Sequence, residues 1–231
     1  VGLACGGTIR VLVEPIGSVF PETLLADLVA VRAKRKPAAY VVDLETGTRR
    51  LDVTGHEERF LKDRSGFEDG TRQFVAVHNP PLRLIVVGAV HIAQALVPMA
   101  RIVGYDPVII DPREAFGSQA RFPEDRIVND WPDEAIAAEG LDSRTALVLL
   151  THDPKLDDPA LVASLQSDAF YIGALGSKRT HAKRLDRLKN LNHLERIEGP
   201  IGLDIGAKNP AEIAVSILAS ITKVLRHGDR P

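Results

Sequence analysis

From residue 84 to the end of the chain, short apolar runs alternate with amphipathic stretches, and this alternation constrains the fold more than any other feature. Residues 84–87 have the length and composition of a buried strand, followed by a helix from residue 91 to about 103. Residues 107–110, 126–128, 146–150, 169–172 and 201–205 are the next five expected strands. Helices are expected at about 159–166, after Asp157-Asp158, and at 178–191. The last helix is the best marked, because Asn209 is a natural N-cap, Pro210 suits the first helical position and Glu212 can reach back to the cap amide. Strands separated by helices build a parallel sheet with helices on both faces, so this part is expected to be a Rossmann-like α/β domain.

The first third of the chain reads differently. Residues 8–15 are β-branched and partly alternating, which predicts a strand stopped by Pro15. Leu24, Leu25, Leu28, Val29 and Val31 recur at helical spacing, and Lys34-Arg35-Lys36 supplies the positive charge favoured at a helix C-terminus. Residues 39–44 and 49–53 flank a short Gly-containing connection, which predicts a hairpin, and 73–77 predict a further strand. The tandem Pro80-Pro81 cannot continue a helix or donate to a central ladder. We therefore expect a smaller N-terminal α+β domain over residues 1–79 and the Rossmann-like domain over 80–231. The sequence opens on Val1 inside an ordered-looking segment, so the first domain is expected to be truncated at its start.

Charge and apolar run length narrow the partners. Twenty-nine Lys and Arg face thirty-one Asp and Glu for a net charge of -2, too even for the basic field that binding to phosphate backbones needs, so no nucleic acid is expected. Apolar stretches such as 84–90 and 146–150 fall far short of the roughly 20 residues that span a bilayer, so a soluble, cytoplasmic chain without a membrane partner is expected. Cys5 is the single cysteine, which excludes an internal disulfide.

Candidate binding residues gather at the ends of the expected strands, where ligands of open parallel sheets bind. Gly88-Ala89-Val90-His91-Ile92-Ala93 stands where dinucleotide-binding chains carry G-x-G-x-x-G, but only Gly88 remains of the three glycines. Val90 puts a branched side chain where phosphate oxygens would approach backbone, and an ordinary strand-to-helix turn is the alternative. His91 begins the helix, where the dipole favours the neutral ring. Asp111, 23 positions after Gly88, falls where an acidic side chain meets ribose hydroxyls, and Arg113 would suit an added phosphate; the alternative is an Asp that caps its own turn. His152 and Asp153 end the fourth expected strand of this domain.

After the fifth, Gly176 and Ser177 lead into Lys178 and Arg179, two cations in a first helical turn where positive charge opposes the dipole. Amides plus such cations suit an anion, and a solvated basic helix is the alternative. Lys208 is a further anion contact in this reading. There is no nucleophile elbow, H-E-x-x-H or Walker loop. Cys5 is either a small buried hydrophobe or a thiol left uncovered by Gly6 and Gly7, whose amides could stabilise a thiolate.

Several runs together resemble one family: Gly-Leu-Ala-Cys-Gly-Gly-Thr-Ile at 2–9, Gly88-x-x-His91-x-Ala93, Thr151-His152-Asp153-Pro154-x-Leu156-Asp157, Tyr171-Ile172-Gly173-Ala174-Leu175-Gly176-Ser177-Lys178-Arg179-Thr180, and Pro200-Ile201-Gly202-Leu203-Asp204-Ile205-Gly206-Ala207. In this order they resemble the XdhC/CoxI family of xanthine dehydrogenase accessory factors, over nearly the whole chain. The family usually has G-x-G-H-x-A at the first turn, where this chain has Val90 for the second glycine.

The resemblance implies a chaperone that binds the molybdenum cofactor, molybdopterin or its dinucleotide form. It holds the cofactor while a cysteine desulfurase supplies sulfur and passes it to an apo molybdenum hydroxylase such as xanthine dehydrogenase. It implies cofactor binding by Cys5, Gly6, Gly7, Gly88, His91, Asp111, Arg113, His152, Asp153, Gly176, Ser177, Lys178 and Arg179, with Cys5 as the metal ligand and no catalytic residue. A soft thiol suits molybdenum better than oxygen does. The rival reading is an NAD(P)-dependent oxidoreductase using the same α/β domain, and a scaffold for protein contact is a third. The oligomeric state stays open, with a homodimer among the options.

Overall fold

The computed structural model describes residues 11–228 of the chain. They divide into two compact units, one up to Pro80 and one from Pro81 onward.

The first unit holds α1 (Glu22–Ala33), β1 (Ala38–Asp43), β2 (Arg49–Asp52), α2 (Glu57–Lys62), β3 (Gly66–Phe67) and β4 (Gln73–His78). The strands form an antiparallel sheet in the order β2-β1-β4-β3. β1 is interior because Ala38 to Val42 are all buried. Its hairpin is closed by Asp43, whose Oδ1 accepts from the amides of Glu45 (2.9 Å) and Thr46 (3.0 Å). α2 has no apolar periodicity to announce it; it is held by Phe60, which packs with Ala39, Val41 and Val75. The strand expected over 8–15 is not formed by residues 11–15, and residues 8–10 lie outside the described ones. Val11 and Val13 are exposed, and the segment is tied down by Glu14 instead, which accepts from Tyr40 Oη (2.7 Å) and Arg49 Nε (2.8 Å).

The second unit holds β5 (Leu82–Val87), α3 (His91–Ile102), β6 (Tyr105–Ile110), β7 (Arg126–Val128), α4 (Pro132–Glu139), β8 (Thr145–Leu149), α5 (Pro154–Leu165), β9 (Tyr171–Ala174), α6 (Lys178–Arg187), β10 (Ile197–Glu198) and α7 (Pro210–His227). All six strands are parallel, in the order β10-β9-β8-β5-β6-β7. The first strand is therefore central: the chain builds outward to β7, crosses back, and builds outward to β10. This is the doubly wound order of a Rossmann-like sheet, as expected. β5 is buried on both faces, and its side chains alternate between two cores. Leu82, Leu84 and Val86 face α3 and α7, whereas Ile85 and Val87 face α4 and α5.

Three expectations are corrected here. The sixth strand is Ile197–Glu198 and not 201–205. Residues 201–205 are drawn onto α7 instead: the Leu203 amide donates to Ser216 O (3.2 Å), Ser216 Oγ donates to Leu203 O (2.5 Å), and Gly202 donates to Glu198 Oε1 (2.7 Å). α5 begins at Pro154 and not near 159, because Asp153 caps it by accepting from the Lys155 amide (3.0 Å). Asp157 is thereby carried inside the helix and buried. Helix α4 was not legible either, and α6 stops at Arg187. No described helix is long and apolar enough to cross a membrane.

Candidate functional site

The strand order reverses between β5 and β8, and ligands of such sheets bind in the crevice outside the carboxyl ends at that point. Gly88 sits there with φ +106°, and a Cβ on it would stand 2.7 Å from Thr151 Cγ2 and 3.2 Å from the Thr151 amide nitrogen. Glycine is required so that the two strand ends can close on each other. Gly88→Ala combines a left-handed backbone with that clash and is expected to cost about 1–3 kcal/mol; thermal unfolding checks this, and an unchanged melting temperature would sink it. Val90 is the N-cap of α3, extended and without a side-chain capping bond, and it packs partly against the core. His91 follows it, exposed.

Asp111 leaves the end of β6 with its side chain fully buried. Its Oδ2 accepts from the Ala89 amide (2.8 Å) and Arg113 Nη2 (2.8 Å), and its Oδ1 from Arg113 Nε (2.8 Å) and the Arg113 amide (3.0 Å). Burial alone would raise the Asp111 carboxyl, but the guanidinium and the two amides outweigh it and hold the group below its ordinary value. The Arg113 guanidinium, expected to be open to a phosphate, is thus engaged by Asp111. Its charge is further favoured by Asp153 and Asp157, which places those carboxylates within electrostatic reach of it.

Beyond β8, Thr151 Oγ1 donates to Asp157 Oδ1 (2.5 Å) and accepts from the Asp153 amide (3.1 Å). His152 is exposed and has φ +61°, a conformation that a residue with a Cβ adopts only under local constraint. Asp157 meets Arg184 of α6 at 3.5 Å, each side chain 2% exposed, and Arg184 also donates to Leu175 O (2.8 Å). Burial pushes the Asp157 carboxyl up, and Thr151 and Arg184 offset this only in part. Neither Asp157 nor Arg184 was singled out from the sequence. The signal available was that Asp157 closes the Thr151-His152-Asp153-Pro154-x-Leu156-Asp157 run, but its partner lies 27 residues away.

After β9, Gly176 (φ +147°) turns the chain into α6, where Ser177 Oγ caps by accepting from the Thr180 amide (3.1 Å). Lys178 and Arg179 follow in the first turn, both exposed, and among the described residues no carboxylate pairs with either. Contacts link this turn to the first loop through Leu175, Arg184, Asp157, Thr151 and Gly88 in sequence. On the neighbouring strand, Glu198 gathers Tyr171 Oη (3.0 Å) and Ser220 Oγ (2.6 Å). The Asn209–Glu212 capping box is formed in full, and Lys208 sits before it, exposed. The described residues hold no group of three or more His, Cys, Asp or Glu that could take a metal ion. Cys5, Gly6 and Gly7, including the expected metal ligand, lie outside the described residues.

A family model described as the XdhC Rossmann domain matches residues 84–221. The chain belongs to the XdhC family. Among XdhC relatives, the Escherichia coli (strain K12) protein named molybdenum cofactor insertion chaperone PaoD is 32% identical over 229 residues, covering 97% of this chain and 62% of that protein. A Bacillus subtilis (strain 168) protein whose name describes it as a probable xanthine dehydrogenase subunit is 31% identical over 157 residues, covering 67% of this chain and 46% of its own. The chain therefore spans less than two thirds of the length of either relative. A crystal structure titled as a xanthine dehydrogenase from Bacillus halodurans aligns with a TM-score of 0.71 at 25% identity, over 91% of this chain and 68% of that one.

Proposed function

We propose that this XdhC-family protein is an accessory factor that binds the molybdenum cofactor, holds it during sulfuration by a cysteine desulfurase, and delivers it in the cytoplasm to an apo molybdenum hydroxylase such as xanthine dehydrogenase. The observation that carries this reading is the similarity along 97% of the chain, across both units, to a protein named for that insertion step. The chemistry of the second unit is compatible. Molybdopterin ends in a phosphate, and the start of α6 offers helix amides together with two exposed cations. In this reading Lys178 and Arg179 hold the phosphate with the Gly176 and Ser177 turn, while the Cys5 thiolate meets the molybdenum end.

The test is anaerobic purification from a molybdenum-replete host, followed by oxidation and a search for the fluorescent pterin product. Folded protein that carries none, and that takes up none when the cofactor is supplied, would overturn the reading. Cys5→Ser is close to isosteric and is expected to leave the melting temperature nearly unchanged while lowering cofactor retention at least about tenfold, equivalent to ~1.4 kcal/mol. If Cys5→Ser instead melts markedly lower with normal cofactor loading per folded molecule, the thiol is a packed core group.

A further inference from the structure

The strand order of the second unit suits a dinucleotide, yet the acidic side chain at the end of its second strand is already taken. In dinucleotide-binding sheets that carboxylate receives the ribose hydroxyls. A carboxylate offers about four lone-pair positions, and Asp111 has all four filled: the Ala89 and Arg113 amides take two, and Arg113 Nε and Nη2 take the others at 2.8 Å each. We infer that the Asp111–Arg113 pair is an internal plug, in which the Arg113 guanidinium stands in for a ligand's ribose diol and excludes adenine dinucleotides such as NAD.

The guanidinium has a second partner. Its Cζ lies over the Phe116 ring, 4.2 Å from the ring centre, a cation–π contact. The loop carrying Phe116 is pinned in turn. Arg121 Nη1 donates to the carbonyls of Ala89 (2.6 Å) and Phe116 (2.9 Å), and Asn129 Nδ2 donates to those of Asp111 and Gly117 (3.0 Å each). A ribose would have to displace a bidentate, charge-assisted pair that is pre-organised in place. The Arg113 side chain is 37% exposed while Asp111 is fully covered, so removing Arg113 opens the carboxylate to solvent. The plug rests on Asp111, Arg113 and the loop that carries Phe116, and closes this position to any ligand ribose, and Val90 is a separate obstacle at the pyrophosphate end.

The test separates the two obstacles by working in the full chain with Val90→Gly as background and ADP-ribose as the calorimetric probe. Adding Arg113→Ala is expected to tighten ADP-ribose binding at least about tenfold, or ~1.4 kcal/mol. Simple charge arithmetic predicts the opposite, since an anionic probe loses a cation. The gain should vanish when Asp111→Asn is added, and with 2′-deoxy-ADP-ribose. Equal or weaker binding by a folded Val90→Gly/Arg113→Ala variant overturns the plug, as does sub-micromolar NAD binding by the unmodified protein. Should Arg113→Ala fail to fold, Phe116→Ala decides: it removes the ring that helps hold the guanidinium in place and must tighten the same probe, and no gain there overturns the inference as well.

Discussion

Asp157→Ala is expected to lower the unfolding free energy by about 3–5 kcal/mol, the cost of leaving one member of a buried ion pair uncompensated. Arg184 is 1% exposed, and its Nε and Nη1 have no hydrogen-bond partner among the described residues. Without Asp157 it keeps only the Leu175 carbonyl. The exposed pair Lys62–Glu58 is the contrast, because solvent screens it and its loss should barely register. Replacing both buried partners, as in Asp157→Leu/Arg184→Met, should recover most of the loss, because an apolar pair of similar volume removes both desolvation costs.

The pH dependence has a definite sign. Burial raises the folded-state value of the Asp157 carboxyl above its unfolded one, so its contribution is fully present below the ordinary carboxylate range. It is lost as pH rises through the raised value. Asp157→Asn, which cannot ionise, should therefore gain on the wild type between acidic and neutral buffer. Urea unfolding of the variants in both buffers reads all of this; a loss under about 1 kcal/mol in Asp157→Ala would show that the pair is not buried as described.

Under the proposed function, the second large effect is on cofactor binding. One charge-assisted contact is worth roughly 1.5–3 kcal/mol, so Arg179→Ala should weaken binding by about one to two decades, and Lys178→Ala/Arg179→Ala further. Stability should move the other way. Both side chains are exposed and unpaired among the described residues, and removing positive charge from a helix N-terminus relieves about 0.3–1 kcal/mol of dipole repulsion. Weaker cofactor binding with an equal or higher melting temperature is thus the signature of a ligand contact. Unchanged affinity in the double variant would remove α6 from the site.

Features encoded within a few residues were legible in the sequence. The apolar run at residues 84–87, the strand Arg126–Val128 and the Asn209–Glu212 capping box are local, because burial patterning and caps act over one or two turns. The parallel character of the sheet followed from the alternation, since parallel strands need a crossover between them. What the sequence left open depended on partners distant along the chain. Residues 201–205 carry strand-like side chains, but hydrogen bonds to Ser216 prevail over a ladder. Val11 and Val13 have strand propensity but, among the described residues, no neighbouring strand to realise it.

The same division runs through the site. Gly88, Asp111, Thr151 and Ser177 could be named as strand-end residues from their positions alone. That Gly88 closes on Thr151, that Asp111 is filled by Arg113, and that Asp157 is buried against Arg184 was decided only by the fold. A side chain's type is written in the sequence, but whether its hydrogen-bonding capacity is free or spent depends on what the tertiary structure places within about 3 Å of it.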